Sequence, residues 1–416
     1  MKVSASYTQY TIQWSWVDYA MGIILILLIP LIKWIPLMMS VTGLFWIYEY
    51  WKRYKEVGNA RYKWGWIQIL MILSFVMLLV GMFWTENVPK GWSNVEHKLS
   101  LLLVPLIIGL NNRKMTLEQA SNIFVMGLVM AAFLLFGIAS YRSLFDSSEA
   151  WISYWRESTF SVFMHRSYLA CYMAMGALIA LISFFRSSQW FWACVFLLLS
   201  GVVLLTVSKA GIIALLLGVI GLCAYFLFWK KSGSKLRLTM VIGILFLCAM
   251  LLLNERIQVR FNSAWKSFTS ASVVNNPSKD GTQARMMMWS AASKVFSENA
   301  LYGVGTGDVD DALQMENKQR GNEGVVQQKL NAHNQFLNVA VQHGLIGLLI
   351  LTALMILIFF NFIKDKNAVG IVVTITFFIN LLFESFLETR SGVVPFCLLI
   401  LLFSTLKSSN KTVQRI

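Results

Sequence analysis

Apolar residues along this chain gather in long blocks. About twelve of them approach the length that crosses hydrocarbon: 14–31, 34–50, 64–84, 99–111, 120–140, 161–184, 190–207, 210–229, 238–253, 344–363, 368–386 and 392–406. Each predicts a helix, because lipid offers no partner to an exposed backbone N–H or C=O and a helix satisfies its own. The block at 99–111 is short and contains Pro105, so its ends are the hardest to fix. No small-residue cleavage site follows the first block, and Lys33 and Trp34 come directly after it, so it reads as a retained span. The expected fold is all-α: a polytopic membrane protein of about 12 transmembrane helices. Nine are expected in 1–253 and three in 333–416, with one large connection at 254–332 that forms short helices.

Composition agrees. Hydrophobic residues make up 57% of the 416 and charged residues 13%, with mean hydropathy +0.63. Soluble domains carry roughly 25% charged residues, so both a soluble globular protein and a disordered one are excluded. The formal charge is +15, which in a soluble protein would suggest nucleic acid. Here its distribution reports topology instead. Alternate connections (52–63, 112–114, Arg186, 230–237, 364–366 and the tail from Lys407), together with Lys2, hold 18 of the 35 basic residues. The other short connections hold eight. By the positive-inside rule both termini are expected in the cytoplasm and the long connection outside. No basic-aromatic module for nucleic acid is visible. Cys171, Cys194, Cys223, Cys248 and Cys397 lie in apolar runs without zinc or disulfide spacing and read as small core residues.

Candidate chemistry falls on the predicted outer side. All four histidines, His97, His165, His333 and His343, are there, and histidine is the side chain suited to proton transfer near neutral pH. In 331–347, Asn331, Gln335, Asn338 and Gln342 share one helical face, with His333 beside it. A continuous helix from 333 to 363 would be about 46 Å long, more than the hydrocarbon core, so its first turns are expected to project outward or to line a wet cavity. Such a helix start suits a lipid headgroup; alternatively the amides tie the helix to neighbouring loops.

In 281–313 a helix is expected from near Thr282, with Arg285 in its first turn, where a guanidinium and free N–H groups attract phosphate. Gly303, Gly305 and Gly307 resemble a phosphate loop, but no strand precedes them and no GK[ST] follows. Asp308, Asp310 and Asp311 lack EF-hand spacing and read as a solvated acidic turn. Lys209 and Arg166 stand at the outer ends of two further spans. Lysine at such a place can simply snorkel; together with Arg285 the two cations would make a positive pocket for an anionic head such as a diphosphate.

These steps, SKAG (208–211), ARMMMW (284–289), YGVGTG (302–307) and HNQFL (333–337), resemble in order, spacing and sidedness the O-antigen ligase and polymerase superfamily. The likeness covers roughly 160–350. It implies a GT-C-type inverting glycosyltransferase at the periplasmic face of the bacterial inner membrane. It further implies a glycan on undecaprenyl diphosphate as donor, a lipid A–core sugar as the ligase acceptor, and no metal or other cofactor. By motif, His333 matches the histidine that activates the acceptor hydroxyl and Arg285 the loop arginine on the donor diphosphate. Lys209 stands where the family usually has arginine; it keeps the charge and loses the bidentate fork. Arg166, Asn334 and Asn338 are the further substrate-contact candidates. A polymerase would use the same donor with another lipid-linked repeat unit as acceptor, and some members transfer the glycan to protein. A transporter is the rival outside the family, but carriers keep ionisable groups near mid-membrane, and Asp18, Glu384 and Glu388 all lie near the ends of apolar runs.

Overall fold

The computed structural model describes residues 16–57, 64–109, 115–146, 148–226 and 281–406, with isolated positions between 255 and 265. The predicted span at 238–253, Cys248, the segment 266–280 and most of the basic connections used for orientation lie outside the described residues. All regular elements among the described residues are helical, and each remaining apolar block coincides with a helix. In chain order these are α1 (Trp16–Leu27), α2 (Ile35–Val57), α3 (Trp66–Gly81), α4 (Val88–His97), α5 (Ser100–Gly109), α6 (Leu117–Phe145), α7 (Glu157–Phe160), α8 (Arg166–Ser187), α9 (Trp190–Thr206) and α10 (Lys209–Ala224). After the undescribed stretch come α11 (Gly281–Glu298), α12 (Val309–Gln319), α13 (Glu323–Gln327), α14 (Gln335–Lys364), α15 (Ala368–Phe383) and α16 (Arg390–Thr405). Among the described residues four helical segments, Trp66–Trp84, Leu117–Phe145, Arg166–Ser187 and Gln335–Lys364, are long and apolar enough to cross a membrane.

The helix α8 is the central pillar. Its apolar window is 94% buried, against 33–44% for the other three, so protein rather than lipid surrounds it. Its sequence explains this: Ala170, Ala174, Gly176, Ala177 and Ala180 leave little bulk, and small residues let helix backbones approach. The head of α10 comes close, where a Cβ on Gly211 would lie 2.4 Å from the Cβ of Ala170. The glycine of the SKAG step is thus what seats α10, with Lys209 at its head, against the head of α8. Exposed apolar side chains such as Leu345, Ile346 and Leu349 on α14 face outward, as expected for a chain solvated by lipid.

The described part of the long connection, 281–332, is a helical cap with its own small core of Met288, Val295, Val309, Leu313 and Val325, joined to Val341 of α14. The continuous helix expected from His333 is not what forms. The α14 helix begins at Gln335 and breaks at His343–Gly344, where Gly344 has φ +63°. The cause is tertiary. The N–H groups of Val304 and Gly305 bond the carbonyls of Val341 and Gln342, and Ala300 accepts from Leu345. The glycine turn at 303–307 therefore clamps the break, using carbonyls that a straight helix would have kept for itself. The acidic turn expected in solvent is instead docked. Asp308 accepts from the N–H groups of Glu86 and Asn87, Asp311 accepts from the Asn87 amide, and Asp310 pairs with Lys90 at 2.8 Å.

Candidate functional site

The heads of three helices, α8, α11 and α14, and the tail of a fourth, α15, meet at one carboxylate. Glu384 follows the last residue of α15 and is 6% exposed. Its Oε1 accepts from Arg285 Nη2 at 2.7 Å and from the Ser167 hydroxyl at 3.0 Å. Its Oε2 lies 2.9 Å from His333 Nδ1. Arg285 and Thr282 occupy the first turn of α11, and the Thr282 hydroxyl accepts from Lys209 Nζ at 2.6 Å. Lys209 therefore meets the start of α11 at Thr282, and three residues on Arg285 reaches Glu384, which also contacts His333 and Ser167.

Local sequence sets each member in place. Ser208 caps α10 by accepting the Gly211 N–H, so Lys209 opens the first turn. The preceding Val207 has φ +50°, an outlier for a β-branched residue and the kind of strain that surrounding packing must hold. His165 caps α8 through its Nδ1, with Arg166 and Ser167 in the first turn. Arg285 is oriented by the Phe383 carbonyl, which accepts from Nε at 3.1 Å. His333 has φ +46°; its N–H donates to Asn331 Oδ1, and its carbonyl accepts from the indole N–H of Trp289. The tryptophan of the R-x3-W step thus holds the backbone of the histidine, while the arginine of the same step holds the carboxylate that the histidine bonds.

The electrostatics follow from this packing. A carboxylate only accepts, so His333 donates from Nδ1, which leaves Nε2 as the lone-pair nitrogen. Burial alone pushes a carboxyl pKa up; the hydrogen bond from His333 and the charge of Arg285 outweigh it and pull Glu384 down to about 2. The Arg285 and His333 side chains remain 24% and 21% exposed, against 8% for Glu384. The carboxylate is therefore the floor, and the cation and the base face outward. Four helix N-termini, those of α8, α10, α11 and α14, add positive partial charge in the same place. The arrangement can hold an anion and accept a proton beside it.

The sequence candidates divide. His333 and Arg285 are brought together through Glu384, and Lys209 reaches the start of the Arg285 helix through Thr282. Arg166 heads the neighbouring helix and pairs with Glu157 at 3.2 Å. Asn334 is the cap of α14, its side chain accepting the Leu337 N–H, so it shapes the helix start directly after His333. Asn338 is 3% exposed and turned into the packing. Sequence reasoning passed over Glu384 and Ser167. The available signal for Glu384 was an acid directly abutting an apolar run, in NLLFES (380–385), a costly place for a carboxylate unless it is paired.

The sequence model of the O-antigen ligase family matches residues 194–352. The match takes in Lys209, Arg285, Trp289 and His333. An uncharacterised protein of Haemophilus influenzae is 26% identical over 182 residues, which cover 40% of this chain and 45% of that protein. The similarity to that relative thus spans less than half of its length. With helices apolar enough to cross a bilayer, the family match supports a membrane protein of O-antigen ligase or polymerase type.

Proposed function

We propose, from the match of residues 194–352 to the O-antigen ligase family, that this chain is a member of the O-antigen ligase and polymerase superfamily and an inverting, metal-independent glycosyltransferase. Its donor is a glycan on undecaprenyl diphosphate, its acceptor a lipid A–core sugar, and its product complete lipopolysaccharide. The proposal includes about twelve spans, both termini in the cytoplasm, and a reaction face on the periplasmic side of the inner membrane. The observation that carries it is the meeting of His333 and Arg285 at Glu384, with Lys209 held against the start of the same α11 helix through Thr282.

In this reading the acceptor hydroxyl lies against Nε2 of His333, which takes its proton as the sugar oxygen attacks the anomeric carbon. The C–O bond to the diphosphate breaks on the opposite face, so the configuration inverts. The leaving diphosphate gains charge as that bond lengthens, and Arg285 and Lys209 stabilise it, with Arg166 as an outer cation. One preorganised contact of this kind contributes about 3–4 kcal/mol. Glu384 is a positioning residue. It fixes His333 in the Nδ1–H form and favours the imidazolium that develops, as the carboxylate does in a Ser-His-Asp triad.

The test is transfer by purified, reconstituted protein given a lipid-linked oligosaccharide and a lipid A–core acceptor in EDTA, with products resolved by gel and mass spectrometry. Glycan on the core is the expected result. Longer glycans left on undecaprenyl diphosphate would make the protein a polymerase. No transfer from folded protein to either acceptor would overturn the reading.

A further inference from the structure

Of the four histidines, His333 alone serves the proposed transfer step. Another, His165, stands at the same carboxylate. It caps α8 two residues before Ser167, whose hydroxyl bonds Glu384 Oε1, while His333 lies against Oε2. The charges of Glu384, Arg166, His333 and Arg285 all act on its ring. His165 is exposed, whereas the Ser167 and Tyr168 that follow it are buried.

Two contacts fix the ring. Tyr168 stands edge-to-face with it, the centroids 6.1 Å apart and the planes at 81°. Its Nδ1 accepts the Ser167 N–H at 3.4 Å, so the lone pair is on Nδ1 and the proton on Nε2. An imidazolium could not accept that bond. Desolvation by the surrounding protein also lowers the His165 pKa further than the charge of Glu384 raises it, so the ring is neutral at pH 7. Glu384 imposes the reverse tautomer on His333, with the proton on Nδ1 and the lone pair on Nε2. The two imidazoles at this site therefore differ in kind: His333 offers an acceptor and His165 a donor. Among the described residues the side chain of His165 makes one hydrogen bond, that at Nδ1, which leaves its Nε2–H for a ligand.

An N–H that can only donate matches an oxygen that can only accept. A diphosphate oxygen is such an atom, whereas a sugar hydroxyl brings a proton of its own. Arg285 and the N-termini of α8 and α11 favour an anion in the same place. We propose that His165 is a substrate-contacting residue whose Nε2–H donates a hydrogen bond to the diphosphate of the lipid-linked donor. This assignment rests on the glycan-transfer reading and adds a neutral ligand to its cations. No proton leaves His165. As the bond from the anomeric carbon to the diphosphate oxygen breaks, its electrons pass to that oxygen and the acceptor proton goes to His333. The hydrogen bond from His165 strengthens as the charge grows.

The experiment measures binding of undecaprenyl diphosphate to the full chain in detergent by microscale thermophoresis, with undecaprenol as the phosphate-free reference. His165→Asn removes the imidazole and keeps the cap, because asparagine is among the best N-cap residues. His165→Ser does the same with a different side chain. Both should unfold at the native temperature. Each should bind undecaprenyl diphosphate about 10- to 100-fold more weakly, the loss expected for one hydrogen bond to a charged group, and should bind undecaprenol as the native protein does. Native affinity for the diphosphate in a folded variant would overturn the assignment. So would an equal loss for undecaprenol, which would make His165 a support of the fold and not a diphosphate contact. If the native protein itself does not bind undecaprenyl diphosphate, the glycan-transfer reading falls and this assignment falls with it.

Discussion

Glu384→Gln separates the role of the buried carboxylate from its packing. The substitution keeps the shape and removes the charge. Its orientation is forced, because Arg285 Nη2 and the Ser167 hydroxyl both approach Oε1, so the amide oxygen must take that place. The amide NH2 then occupies the Oε2 position, 2.9 Å from His333 Nδ1, and two donors cannot face each other. The imidazole answers by moving its proton to Nε2, which leaves no lone pair toward the acceptor. Two contributions disappear together: the correct tautomer and the charge that favours imidazolium. The corresponding change in serine proteases costs about 10⁴-fold in kcat, and general-base catalysis as a whole contributes on the order of 10²–10⁴-fold. We expect kcat for glycan transfer to fall by about 10²–10⁴-fold, equivalent to about 3–5 kcal/mol. KM for the lipid-linked donor should change less than about threefold, because Arg285 keeps a neutral acceptor there. The assay is steady-state transfer by reconstituted protein, with membrane abundance and unfolding temperature measured in parallel. A variant that transfers at the native rate while His333→Ala is inactive would refute the argument, since His333 would then need no carboxylate to set its proton.

Four further outcomes are expected. Lys209→Met should lower transfer by on the order of 10²-fold or more through the lost diphosphate contact, whereas Lys209→Arg should be tolerated; an inactive Lys209→Arg with normal folding would remove Lys209 from the diphosphate site. Gly344→Ala should lower stability by at least about 1–2 kcal/mol, because φ is +63° and the new Cβ would sit 2.4 Å from the Leu301 carbonyl group; thermal unfolding in detergent measures this. Because the folded pKa of Glu384 is depressed to about 2, its stabilising contribution is complete above the unfolded value of about 4.3 and is lost as pH falls from there toward 2; the unfolding temperature should drop below pH 4 in the native protein and less so in Glu384→Gln. Asp310→Asn removes a pair whose partners are 44% and 49% exposed, so it should cost under about 1 kcal/mol and leave transfer in EDTA intact.

Much of this protein was legible in one dimension. Apolar blocks near hydrocarbon length dictate helices because lipid leaves the backbone no other partner, and every block within the described residues is helical. SKAG, R-x3-W and HNQFL pointed to Lys209, Arg285 and His333 because charge and proton transfer restrict the residue types. What the sequence could not determine is how those residues meet. Glu384 lies 51 residues from His333 and 99 from Arg285, and nothing local marks it beyond an acid at the end of an apolar run. The glycine turn carried a local pattern that suggests phosphate, yet its N–H groups are spent inside the protein, those of Val304 and Gly305 on carbonyls of the broken helix and the others on Asn299, Gly81 and Thr85. Asn334 and Asn338 sit in the expected helix start, but one is consumed as a cap and the other faces the packing. Helix formation and charge type are properties of neighbours in sequence. Tautomer, burial and the break in α14 depend on which distant groups compete for the same hydrogen bonds, and only the tertiary structure decides that competition.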